Sequence, residues 1–125
     1  MKPEKTFTQA LNDLQEEARK FREALDLVTM KINEVEQTLK DAKLFIPCEI
    51  LIDADETRNV YFSWENSFNK NKFSLFLIVR SGDTEISKKV FRETSLKVRS
   101  YYYHFLPIFM DEYTKRIKIE INKNG

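Results

Sequence analysis

Residues 7–42 read FTQALNDLQEEARKFREALDLVTMKINEVEQTLKDA, and their apolar side chains recur with a helical period. Phe7, Leu11, Leu14, Ala18, Phe21, Leu25, Val28, Ile32, Val35, Leu39 and Ala42 succeed one another at alternating spacings of four and three, without a break. With apolar residues at 42 % of the chain, such a run arises by chance on the order of once in 10,000. Between them stand Glu, Lys, Asp, Gln and Arg, helix formers or solvated partners. Pro3 lies before the pattern and Pro47 after it, so neither breaks it. The spacing predicts a helix over about residues 6–43, roughly 57 Å long at 1.5 Å per residue. A compact body of 125 residues is only about 35 Å across. The helix therefore overhangs its own domain, and the overhanging stripe needs cover from the second long helix or from another chain.

Read as heptads, Leu11, Ala18, Leu25, Ile32 and Leu39 take position a, and Phe7, Leu14, Phe21, Val28, Val35 and Ala42 take d. A parallel pair would set Glu17 against Arg22 and Lys31 against Glu36, both attractive. Phe and Ala at core positions suit a parallel two-stranded zipper poorly, so the orientation stays open. The part near residues 28–42 is expected to pack on the chain's own sheet and second helix. Phe7, Leu11, Leu14, Ala18, Phe21 and Leu25 are left as the self-association surface of a homodimer.

From Leu44 the period shortens to two. Ile46 to Ile52 reads as a strand, residues 53–59 as a polar turn, and Val60 to Glu65 as an alternating strand. Asn66 to Lys72 supplies a loop of turn formers. Phe73 to Arg80 is apolar on both faces and should be central or covered on both sides, with Ser81-Gly82-Asp83 ending it. A second helix is expected over about residues 92–118, with Thr84, Ser87 or Thr94 as candidate N-caps. It is apolar almost all round between Val98 and Met110, and Pro107 should kink it. The tail after Lys115 is expected to leave the helix as a short strand or a disordered end. These elements give one α+β domain over residues 1–125: a long heptad helix, a three-stranded antiparallel meander over about 45–80, and a kinked C-terminal helix.

Composition narrows the chemistry. Two glycines argue against the Gly-rich loops that cradle phosphates. One cysteine and one histidine leave no internal disulfide and no Cys/His metal set. No apolar segment comes after the first residues, and no run approaches a membrane span. A reducing, cytoplasmic-type compartment without membrane attachment is the expectation, and no cofactor is implied. Asp53, Asp55, Glu56 and Asn59 lack the glycine and distal Glu of a calcium loop, and read as a turn. His104 comes after three tyrosines, at least one of which must point away from any single core, and it has no recognisable nucleophile beside it. Cys48, in a strand without a basic neighbour in sequence, reads as inert.

Charge is uneven along the chain. Residues 1–57 carry eight Lys/Arg against thirteen Asp/Glu, and residues 58–125 carry thirteen against seven. Such a division suits two halves that attract each other, and the basic half also suits an anionic partner. The order helix–strand–strand–strand–helix, with Ser87-Lys88-Lys89 and then Arg92, resembles the double-stranded-RNA-binding domain. That resemblance implies a basic start to the second helix reaching phosphates across a groove. The first helix is too long for that family, the histidine-containing loop between the first strands is absent, and Val90-Phe91 replace small residues. Lys70, Lys72, Lys88, Lys89 and Arg92 are the corresponding candidate contacts to an anion or nucleic acid. The leading expectation is a non-enzymatic interaction module or small regulator that self-associates through its first helix. A nucleic-acid-binding module using the basic half is the alternative.

Overall fold

The computed structural model describes residues 4–67 and 72–124. Helix α1 spans Phe7–Asp41, and at 35 residues is about 52 Å long. A capping box opens it: Thr6 Oγ1 accepts from the Gln9 N–H at 3.2 Å, while Gln9 Oε1 accepts from the Thr6 N–H at 3.0 Å. Its far end closes with Lys43 N–H donating to Lys40 O (3.0 Å) and Leu44 N–H to Leu39 O (2.9 Å). This is a Schellman closure, and it forces Lys43 to φ 56°, a conformation usually left to glycine. Lys43→Gly is therefore expected to stabilise the fold by about 0.5–1 kcal/mol, read as a higher urea midpoint with an unchanged slope.

The sheet has four antiparallel strands in the order β1-β2-β3-β4, not the expected three: Cys48–Ala54, Asn59–Asn66, Phe73–Ser81 and Thr84–Val90. Strand β1 starts directly after Pro47, which has no N–H to give a ladder. Asp55 shapes the first turn, its Oδ1 accepting from Thr57 N–H at 2.8 Å and Arg58 N–H at 2.7 Å. These bonds hold the Asp55 carboxyl below the usual carboxylate range. Residues 68–71 of the expected loop after β2, Lys70 among them, lie outside the described residues. Gly82 and Asp83 join β3 to β4, with Gly82 at φ 59°, the pattern of a tight two-residue hairpin.

That hairpin corrects the start of the second helix. Residues 84–90 are strand, Phe91–Glu93 make a single 3-10 turn, and helix α2 begins only at Leu96. Its N-cap is Ser95, whose Oγ accepts from Val98 N–H at 3.3 Å; none of Thr84, Ser87 and Thr94 serves. Helix α2 ends at Tyr102, a 3-10 turn covers Tyr103–Phe105, and helix α3 runs Leu106–Asn124. Pro107 lies in the first turn of α3, where a missing N–H costs little, and the α-helical run is interrupted by the 3-10 turn before it rather than kinked at Pro107. The tail stays helical where a strand or disordered end was expected.

The second half of α1, together with Phe91, α2 and α3, covers one face of the sheet. On that face Phe62, Trp64, Leu75 and Leu77 pack with Ile32, Leu39, Phe91 and Phe109. Phe62 meets Phe91 edge-on at 4.7 Å between ring centroids, and Trp64 Nε1 donates to Leu44 O at 2.7 Å, so the buried indole N–H is satisfied. The other face carries charge laid over apolar residues. Lys88 Nζ lies 5.2 Å from the Phe76 ring centroid and pairs with Glu65 across β3; Arg80 lies 4.8 Å from the Tyr61 ring and pairs with Glu49 across β2.

Candidate self-association surface

Burial along α1 changes abruptly. Val28 is 8 % exposed and Ile32 fully buried, whereas Phe7 is 83 %, Leu14 66 % and Phe21 61 % exposed. Leu11 and Ala18 are exposed as well, and Leu25 is half-buried at the boundary. All six expected seam residues thus lie on one face of the half of α1 that projects from the domain. The boundary is marked by Arg99 of α2, whose Nη1 donates to Thr29 Oγ1 at 2.9 Å.

Charged residues on the flank and back of the projecting half pair within the helix. Arg19 donates to Glu16 and Glu23 at 2.7 Å each, and Lys20 pairs with Glu17 at 3.3 Å. Each such exposed pair contributes little, because water screens it. Helices in proteins draw most of their stability from packing an amphipathic face, which the projecting half does not do within its own chain. The apolar stripe is therefore both the uncovered surface of the projection and the means by which cover would stabilise it.

Behind the boundary the seam runs into a groove of about 650 Å³ between α1 and the segment from Tyr103 to Ile117. Val35 and Leu39 form its α1 wall, and Leu106, Phe109 and Met110 face them. Three of its polar side chains are engaged: Thr38 with Glu34 O at 2.7 Å, Thr114 with Met110 O at 2.7 Å, and Tyr113 with Ile46 O at 3.0 Å. His104 lies at the rim, exposed, its ring 4.1 Å from that of Tyr103, while Asp111 pairs with Lys115. This lining is mostly apolar, with the Lys31–Glu34 ion pair at 3.8 Å on its α1 side. The near-continuous apolar character of residues 98–110 was the sequence signal for it.

No family model matches the chain, and no curated protein or solved structure is significantly similar to it.

Among the described residues, the basic candidates sit on different elements and faces. Lys88 and Lys89 alternate on opposite faces of β4, because Lys88 is registered with Ile78 and Lys89 with Leu77. Lys88 is engaged with Glu65. Lys72 is exposed just before β3, and Lys89 is exposed on β4. Arg92, in the 3-10 turn after β4, points inward: its Nη1 donates to both Glu36 carboxylate oxygens, at 2.9 and 3.2 Å. The helix start that the double-stranded-RNA-binding resemblance implied for Ser87-Lys88-Lys89 is a sheet-edge strand instead.

Glu36 is the polar residue that the sequence placed elsewhere. Expected on the solvent flank of the seam, it is 3 % exposed, beneath Arg92 and 3.9 Å from Lys40. Burial pushes its carboxyl above the ordinary range, against the pull of Arg92, Lys40 and the Leu75 backbone N–H. Nothing local announces this pairing, since its partners are 56 residues apart. Cys48 is buried in β1, and burial pushes its thiol up and away from reactivity. No helix among the described residues is long and apolar enough to cross a membrane.

Proposed function

We propose that the protein is a non-enzymatic interaction module that self-associates through the projecting half of α1 and displays its sheet to a macromolecular partner. The observation that carries this reading is the seam itself: Phe7, Leu11, Leu14, Ala18 and Phe21 share one helix face and are exposed in the single chain. A contiguous apolar strip of this kind is characteristic of an interface rather than of a solvated surface. The charged outer face of the sheet, where Glu49–Arg80 and Glu65–Lys88 lie over Tyr61 and Phe76, suits recognition of a polar partner more than further self-burial. Lys88 and Arg92 are held in ion pairs, which supports the protein-interaction reading over a phosphate-binding one.

Sedimentation equilibrium across a concentration series tests the association step. A reversible dimer forming in the micromolar range is expected. A single monomeric species up to millimolar concentration would remove the proposal.

A further inference from the structure

We propose that two copies pair through antiparallel α1 helices in the register that sets Phe7 against the partner's Leu25, Leu11 against the partner's Phe21 and Leu14 against the partner's Ala18. This rests on the self-association reading and adds its orientation and register, which the heptad pattern leaves open.

The first argument is steric. From Val28 onward the seam side of α1 is occupied by the chain's own body, as the burial of Val28, Ile32, Glu36 and Leu39 shows. In a parallel pair both bodies lie at the same end, each in the space that the other helix must enter, so the helices have to splay apart at the boundary. In an antiparallel pair each helix begins, at the Thr6 cap, where the body of the other begins. The 18 residue steps from Phe7 to Leu25 span about 27 Å, the full length of free seam.

The second argument is register. The six seam positions are spaced 4-3-4-3-4, which reads the same from either end, so this one alignment covers all of them. Sliding by one heptad in one direction brings Phe7 to Ile32, which is fully buried. Sliding in the other brings Phe7 to Ala18 and leaves Phe21 and Leu25 bare. The chosen register also sets Leu14 against the small Ala18 at the centre, and the smaller Leu11 against Phe21.

Charge provides a way to tell the two orientations apart by experiment. One of the two attractive pairs of a parallel alignment, Lys31 with Glu36, is lost because Glu36 is sealed under Arg92. The antiparallel alignment brings Glu17 near the partner's Glu17 across the two-fold axis, each already beside its own Lys20. Glu17→Gln is therefore expected to tighten the antiparallel dimer about twofold, whereas in a parallel one it removes an attraction to Arg22 and loosens it.

Disulfide trapping in the full-length chain decides the matter, since Cys48 is buried and does not compete. Phe7→Cys and Leu25→Cys proteins, mixed under a glutathione redox buffer, are expected to form the 7–25 heterodimer, with little product from Phe7→Cys alone. Nitroxide labels at position 7 should lie about 27 Å or more apart in the dimer by pulsed dipolar spectroscopy. Rapid self-linkage of Phe7→Cys, with close labels, overturns the orientation while leaving self-association standing. A dimer in which cysteines 7 and 25 stay reduced overturns the register. A chain that sediments as a monomer overturns both the pairing and the proposal beneath it.

Discussion

Replacing Arg92 by alanine is expected to destabilise the fold by about 2–3 kcal/mol, a fall of roughly 10 °C in Tm. The cause is less the loss of an attraction than the stranding of a charge. Glu36 is 3 % exposed, and without Arg92 its carboxylate keeps, among the described residues, Lys40 at 3.9 Å and the Leu75 N–H. Breaking a fully buried pair costs about 3–5 kcal/mol; the lower figure reflects an Arg92 side chain that is 35 % exposed, where water can enter. Replacing both partners, as Glu36→Leu with Arg92→Leu, should recover most of the loss, because no buried charge remains. The pH dependence has a fixed sign. Glu36 binds its proton more tightly folded than unfolded, so its contribution is fullest below the ordinary carboxylate pKa and falls as pH rises through the raised folded value. Removing the largest opposing influence, Arg92, raises that value further. The deficit of Arg92→Ala should therefore shrink on acidification and widen toward neutral pH, measured by urea unfolding at each pH.

Leu14→Asp is expected to weaken self-association at least about 100-fold while leaving the monomer's stability within about 0.5 kcal/mol of the original. The asymmetry comes from location. Leu14 is 66 % exposed in the single chain, so its replacement opens no cavity in the fold. At the centre of a paired seam the same change buries an unpaired carboxylate, and two-fold symmetry introduces it twice. Leu27→Asp is the matched control: Leu27 is 55 % exposed on the same helix but off the seam, and its substitution should leave the dimer intact. Equal weakening by both variants would mean that the stripe is not the contact.

The long helix and its division into covered and bare halves were legible in the sequence because periodicity is local: a 4-3 spacing fixes a face whatever elements the rest of the chain forms. The third strand was also legible, and in more detail than the expected sheet allowed. Phe76 and Ile78 made it apolar on its second face, which required a neighbour that a three-stranded meander did not provide. Strand β4 is that neighbour, and it was hidden by its own charges. Thr84-Glu85-Ile86-Ser87-Lys88-Lys89-Val90 lacks a clean alternation because it is an edge strand whose Lys88 serves the far face by lying over Phe76. The dipeptide Gly82-Asp83 was the available signal, a two-residue hairpin link that marks a turn-back as well as a strand end. The Glu36–Arg92 pair and the groove beside Val35 arise only when distant segments meet, so no window of sequence contains them.

Whether the first helix finds its cover outside its own chain is measured most directly by amide hydrogen exchange along α1 at concentrations spanning dimer formation. Residues 8–25 are expected to exchange slowly when the protein is concentrated and fast when it is dilute, while residues 28–41 stay protected throughout. Slow exchange of residues 8–25 in a dilute monomer, or fast exchange at every concentration, would contradict a seam completed by a second copy.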